Sequence, residues 1–267
     1  MAGRDELHYP VDGRGFLEPF LPHGAKLADA GLPWVTLTFA TSLDSSLSIA
    51  PGVQTALSGP ESKAMTHYLR SKHDAILIGV GTAVADDPSL NCRLSGVGGY
   101  GGEGLDGQPR PVVIDPHGRW ALGLETKVLS LARNDRGRAP WIVTMTEPDL
   151  ETRQMLEEVG GDFIVIEEHS SDGQLPWKTI FHALKFKGMS SIMVEGGGSV
   201  INSLLSPDNA SMVDSAIITI APTWLGQGGV VVSPARPADR YSLPVARLRK
   251  TMWHQLGDDC VLCGNIV

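Results

Sequence analysis

Two short runs of this sequence combine glycines, hydroxyls and carboxylates in a way that suits a phosphorylated ligand. They are Gly79-Val80-Gly81-Thr82, with Asp86, Asp87 and Pro88 behind it, and Glu195-Gly196-Gly197-Gly198-Ser199-Val200. Each follows an apolar stretch of strand character and leads into a helical one. Where a glycine turn feeds a helix N-terminus, free backbone N–H groups and the positive end of the helix dipole converge on one point, and an anion is stabilised there. The second run carries the stronger signal. Three successive glycines remove every Cβ from the approach and let a pyrophosphate touch the backbone, with the Ser199 hydroxyl as a further donor, whereas a plain tight turn needs only one glycine. In the first run Gly79 and Gly81 make half of a dinucleotide fingerprint, with Val84 in the place of the third glycine. Thr82 offers a hydroxyl at the helix start. The plainer alternative is that Thr82 caps a helix and that Asp86 and Asp87 are solvated turn formers. Arg70 and Arg93 flank this run; they either clamp a phosphate as paired planar donors or solvate the surface.

Other chemistry finds less support. His67, His73, His169, His182 and His254 show no metal-ligand spacing and read as packing or surface residues. No Gly-x-Ser-x-Gly elbow and no His-Glu-x-x-His is present. Cys260-Val-Leu-Cys263 lies in an apolar stretch next to the C-terminus, without the further ligands of a zinc site or the helix start of a redox pair, and reads as a strand.

The elements that must position these groups follow from periodicity. Residues 34–40 are β-branched and aromatic and form a strand, followed by a polar loop over 41–46. Ser58 and Glu61 make a capping box and Pro60 suits a first turn, so a helix runs from about 60 to 72 with Met65, Tyr68 and Leu69 inward. Residues 75–78, 112–114, 141–143, 163–166, 192–194 and 215–220 are short β-rich runs, and 149–159 and 177–187 are helical. Strands alternating with helices imply a mixed sheet covered by helices on its faces. Residues 1–31, interrupted by proline and glycine, read as an extended N-terminal arm on a single domain over 32–267. Seven glycines over 96–107 read as a flexible surface insertion.

The chain has 267 residues, 42% of them hydrophobic and 19% charged, enough for a full core in one large α/β domain. A net charge of -8 with no basic run argues against nucleic acid held through phosphate contacts. No apolar stretch has the length of a membrane span, and the first thirty residues lack a signal-peptide core. Three cysteines give no disulfide framework and suit a reducing compartment, so a cytoplasmic protein is expected.

The run from Asp74 through Gly79-Val80-Gly81-Thr82 and Asp86-Asp87-Pro88 to Leu90 and Arg93, with Ser42-Leu43-Asp44 upstream and Val194-Glu195-Gly196-Gly197-Gly198 downstream, resembles the reductase family of riboflavin biosynthesis. The likeness extends over about 34–231. It implies a dihydrofolate-reductase-like α/β fold with a mixed, mostly parallel central sheet, NADPH as hydride donor and a homodimer. The zinc-deaminase signatures of the fused bacterial form are missing. The resemblance is therefore to the stand-alone type, whose substrate is 2,5-diamino-6-(ribosylamino)pyrimidin-4(3H)-one 5′-phosphate. Carried onto matching positions, it puts NADPH on Gly79, Thr82, Asp86 and Gly196, Gly197, Gly198, Ser199 and Val200, with Ala40 and Ile166 as further candidates. It puts Arg70, Leu90, Arg93 and Glu195 on the substrate side. The ribosylamine must open to a Schiff base at C1′ before hydride arrives, and a carboxylate stabilises that cation, which makes Asp86 and Glu195 the catalytic candidates. Two departures stand out: Ser45 follows Asp44 where the family often has glycine, and the 96–107 loop is long. Another NADP-dependent reductase of the same fold, or a silent nucleotide-binding protein that kept the loops, are the alternative functions.

Overall fold

Valine, isoleucine and leucine fill both faces of the strands at the centre of the molecule, as a parallel sheet covered on two sides requires. The structure, a computed structural model, describes residues 6–24, 31–168, 173–236 and 243–267; His169 and the ends of the N-terminal stretch, 1–5 and 25–30, lie outside them. In chain order the strands are β1 (Trp34–Thr41), β2 (Ser46–Ser48), β3 (Ala75–Gly79), β4 (Val97–Gly98), β5 (Gly101–Gly102), β6 (Arg110–Ile114), β7 (Trp141–Thr144), β8 (Asp162–Val165), β9 (Ser191–Val194), β10 (Ser215–Ile220), β11 (Val230–Val231), β12 (Leu248–Leu256) and β13 (Asp259–Ile266). The helices are α1 (Pro60–Arg70), α2 (Val80–Asp86), α3 (Lys127–Arg133), α4 (Leu150–Glu158), α5 (Trp177–Phe186) and α6 (Gly198–Leu204). Nine strands form one sheet in the order β12-β13-β10-β1-β9-β3-β6-β7-β8. All its pairings are parallel except β10 with β13 and β13 with β12. The expected dihydrofolate-reductase-like mixed sheet is therefore what the chain builds. Among the described residues no helix is long and apolar enough to cross a membrane.

Alternation along the strands divides the core. Leu37, Leu77, Ile192 and Val194 face α5 and α6, where Ile180, Phe181, Leu184, Ile201 and Leu204 cover them. Met193, Ile217, Val261 and Cys263 face the other way, onto Met65, Tyr68 and Leu69 of α1. The C-terminal ends of β1, β3, β9 and β10 rise between these layers, and ligands of open α/β sheets sit at such ends.

Three local expectations are corrected. The N-terminal stretch is no free arm: Tyr9, Leu17, Phe20 and Leu21 are buried in the α1 layer. Tyr68 donates to Glu18 at 2.6 Å and Leu7 N to the Arg93 carbonyl at 2.9 Å, which fasten the stretch to the domain. The 96–107 loop is an ordered ribbon whose Val97 and Tyr100 are buried. Its glycines serve close backbone approach, since a Cβ at Gly98 would fall 2.5 Å from Asp106 N and one at Gly102 2.4 Å from the Gly96 carbonyl. Finally, Gly59 and not Ser58 is the N-cap of α1, and Asp259 Oδ2 accepts from Gly59 N at 2.8 Å, replacing the capping box.

Candidate active site

The two glycine runs meet. Gly79 ends β3 and caps α2 with no intervening loop; Gly197 caps α6 two residues after Glu195. A Cβ on Gly79 would lie 2.9 Å from Val200, one on Gly197 2.8 Å from the Thr82 hydroxyl, one on Gly196 2.4 Å from Val200 and one on Gly198 2.4 Å from Val230. Gly79 and Gly197 are thus required by the packing of one junction on the other, Gly196 by the fold of its own junction and Gly198 by the approach of β11. That is a different cause from ligand approach, the reason the sequence suggested. Gly81 is the exception. It lines the cleft and nothing lies within 4 Å of a Cβ built on it, so only the open space of the site meets that position.

The cleft between the junctions has a volume of about 590 Å³, within the ordinary range for small-molecule sites. Of the expected residues, Ala40, Gly79, Thr82, Asp86, Glu195 and the run Gly196, Gly197, Gly198, Ser199 and Val200 line it. Arg70, Leu90, Arg93 and Ile166 do not. Ile166 is in the α5 core layer, and Leu90 packs under Ile76 and Ile78 with a φ of 49°. Arg93 is buried, with its backbone N–H donating to His67 Nδ1 at 2.9 Å. Arg70 is committed to Glu195 through two bonds, Nε to Oε1 at 2.7 Å and Nη2 to Oε2 at 2.6 Å, while Nη1 donates to the Asn91 carbonyl at 2.9 Å. Burial works against the Arg70 charge, but the Glu195 carboxylate outweighs it and holds the guanidinium above its ordinary range. Arg70 is held by Glu195, and neither arginine is among the residues that line the cleft.

The two aspartates separate. Asp86 lines the cleft, and burial raises its carboxyl above the ordinary value against the opposing charge of Lys127. Asp87 turns away in the left-handed region, φ 39°, and accepts from Lys127 N at 3.0 Å, so it satisfies the first amide of α3. For Asp87 the turn-former alternative is correct.

Sequence reasoning missed a polar row on the cleft floor. Leu37 pairs with Val194 and Ala40 with Thr219, which puts Thr38 beside Glu195 and Thr219 one strand further, on the face shared with Met193 and Ile217. It also missed Thr66 and the segment that carries Ser48, Gln54 and Thr55 into the cleft, whereas Gly81 was already marked as the second glycine of Gly-Val-Gly.

Residues 33–262 match the family described as the RibD C-terminal domain. The chain belongs to that family. The 2,5-diamino-6-ribosylamino-4(3H)-pyrimidinone 5′-phosphate reductase of Debaryomyces hansenii is 41% identical, covering 95% of this chain and 96% of the relative. The reductase of the same name from Saccharomyces cerevisiae is 36% identical over 94% of each. Among solved structures, that of the Saccharomyces riboflavin biosynthesis reductase superposes with a TM-score of 0.76 at 33% identity, over 96% of this chain and 100% of its own. This RibD C-terminal domain places Glu195, Asp86 and the paired glycine junctions around one cleft.

Proposed function

We propose that this chain reduces the ribosyl side chain of 2,5-diamino-6-(ribosylamino)pyrimidin-4(3H)-one 5′-phosphate to the ribitylamino product of riboflavin biosynthesis, with NADPH as donor, as a cytoplasmic homodimer. The observation that carries the reading is a cleft in which the two glycine junctions and the Glu195 carboxylate face one another, in a member of a family whose relatives bear this reductase name. The junctions suit a nicotinamide dinucleotide. Gly81 leaves room for it, the Thr82 hydroxyl faces the cleft with no bond from a described residue, and Gly197 and Gly198 open α6, whose first amides are unpaired within the helix. Ser199 and Asp86 would complete the polar contacts, and Ala40 and Val200 the apolar ones. When bound, NADPH supplies the hydride.

The chain's own groups do the rest. Glu195, fixed by the Arg70 fork, presents a negative charge of set position to the cationic Schiff base at C1′. Asp86, whose carboxyl is raised by burial, takes up a proton more readily than an exposed aspartate and is our candidate for moving the proton that opens the sugar ring. Arg70 acts through Glu195, and Arg93 and Leu90 shape the segment behind it. The test is loss of reduced-nicotinamide absorbance with the diamino ribosylamino phosphate, its deaminated counterpart and dihydrofolate in parallel. Turnover of the first, well above the other two, is expected. Turnover of dihydrofolate alone, or nucleotide binding without oxidation of any, refutes the reading.

A further inference from the structure

Two hydroxyls on the cleft floor have no hydrogen-bond partner among the described residues. Thr38 and Thr219 are 5% and 4% exposed and both line the cleft, yet no hydrogen bond from a described residue reaches either side-chain oxygen. Neither oxygen is shut off from the cleft, so each is open to a hydroxyl of a ligand there, and valine would fit a sheet position equally well. Thr36, two residues earlier on the same face, gives the contrast: its Oγ1 is 2.8 Å from His73 Nε2 and 3.1 Å from Trp34 Nε1. On the neighbouring strands β9, β1 and β10, Thr38 lies beside Glu195, while Thr219 pairs with Ala40 and so lies two residues beyond Ile217, the partner of Thr38.

A carboxylate with one hydroxyl a strand away, at about 4.8 Å, and a second hydroxyl displaced diagonally from the first by roughly 8 Å, suits a ligand with a cationic centre and hydroxyls leading away from it. The opened ribosyl chain has that form, with C1′ as the cation and hydroxyls on C2′ and C3′. We propose that Thr38 and Thr219 are specificity-determining residues that hydrogen-bond the C2′ and C3′ hydroxyls respectively, so that the enzyme selects ribosyl over deoxyribosyl chains. This rests on the functional reading above and adds to it the part of the substrate that the floor recognises. The chain's hydroxyls then fix C1′ over Glu195, and a chain lacking one leaves a threonine unpaired, a penalty of the kind that gives polar sites their large discrimination.

The experiment compares kcat/KM of the full chain for the ribosyl substrate and its 2′-deoxy and 3′-deoxy analogues, in the native protein and in Thr38→Val and Thr219→Val, with NADPH affinity measured separately. We expect the native protein to prefer ribosyl by roughly 100-fold or more. Thr38→Val should collapse the preference over the 2′-deoxy chain and Thr219→Val that over the 3′-deoxy chain, each through the ribosyl substrate, with NADPH affinity within about twofold. Thr38→Ser and Thr219→Ser keep the hydroxyl and should keep the preference, which decides the matter if a valine variant fails to fold. Native turnover with the same preferences in both valine variants, or loss of preference in the serine variants, overturns the proposal alone. No turnover by the native protein overturns the functional reading and the proposal with it.

Discussion

Arg70 and Glu195, one at the end of α1 and the other at the end of β9, are joined by two parallel hydrogen bonds of 2.7 and 2.6 Å with side chains only 14% and 17% exposed. The fork sets the carboxylate's plane as well as its distance, which a single ammonium cannot do. Arg70→Lys keeps the charge and loses one bond to Glu195 and the bond to the Asn91 carbonyl. It should lower kcat by about 10- to 100-fold through misplacement of the carboxylate, with KM for NADPH little changed. Arg70→Ala leaves Glu195 uncompensated and should cost about 3 kcal/mol of stability. Full kcat in a folded Arg70→Lys enzyme would rule out positioning by the fork.

Two alanine substitutions in the glycine junctions should behave oppositely. Gly81 lies inside α2 with open space where its Cβ would be, so Gly81→Ala gains helix propensity, about 1 kcal/mol. The same methyl projects into the cleft, and NADPH binding should weaken by roughly 10-fold from the steric cost, of order 1–3 kcal/mol. At Gly196 the methyl would meet Val200 at 2.4 Å, so Gly196→Ala should lose about 1–3 kcal/mol of stability. Thermal melts with and without NADPH separate the two. A Gly81→Ala protein that melts higher and binds NADPH as well as the native one would place the cofactor elsewhere.

What the sequence made legible follows from what periodicity can carry. The runs in β3 and β9 are buried on both faces, and continuous aliphatic residues announce them, so the glycine junctions were locatable. Strand β12 was not. It is an edge strand exposed over Arg249, Lys250, Thr251, Met252 and Trp253, and without a buried face there is no alternation to read. The bond between Arg70 and Glu195 spans 125 residues, beyond any local pattern, so Arg70 was recognisable as a candidate cation but not as Glu195's partner. Thr38 and Thr219 were hidden for another reason: threonine is a good strand former, and nothing in a strand sequence separates one chosen for its hydroxyl from one chosen for its shape. The glycines were found, but the reason for them needed Val200, Val230 and Thr82 in place.

Ser45 occupies the left-handed region with φ 62°, at the position where the family pattern often has glycine. The neighbouring Asp44 accepts from the Ser42 hydroxyl and from Gly226 N at 2.7 Å and Leu225 N at 3.2 Å, which tie the turn to the 222–230 loop and hold its carboxyl below the ordinary range. Ser45→Gly relieves about 1 kcal/mol of backbone strain and returns roughly half of that as unfolded-state entropy, so a small gain in melting temperature is expected. Ser45→Val, β-branched at positive φ, should lose more than about 1 kcal/mol. Melting temperatures that do not move in opposite directions contradict this account of the turn.

Two buried histidines should make the fold acid-sensitive. His73 Nδ1 donates to the Leu69 carbonyl at 2.7 Å and Nε2 accepts from Thr36 at 2.8 Å, while His67 Nδ1 accepts from Arg93 N at 2.9 Å. Each acceptor nitrogen would face a donor if it took up a proton. Burial pushes His73 down to about 4 from 6.5 and His67 down to about 2, the latter helped by the charges of Arg70 and Arg93. Because the folded values lie below the unfolded one, the unfolded chain binds protons first as pH falls. The stabilisation is complete above pH 6.5 and is lost below it, for His73 down to about pH 4 and for His67 further still. Each histidine contributes a slope of about 1.4 kcal/mol per pH unit in that range. Denaturant unfolding at pH 7 and pH 5 should therefore differ by roughly 4 kcal/mol. His67→Asn, whose amide oxygen can still accept from Arg93 N, should remove about half of that difference. A native protein equally stable at both pH values would mean that the unfolded chain does not out-compete the fold for these protons.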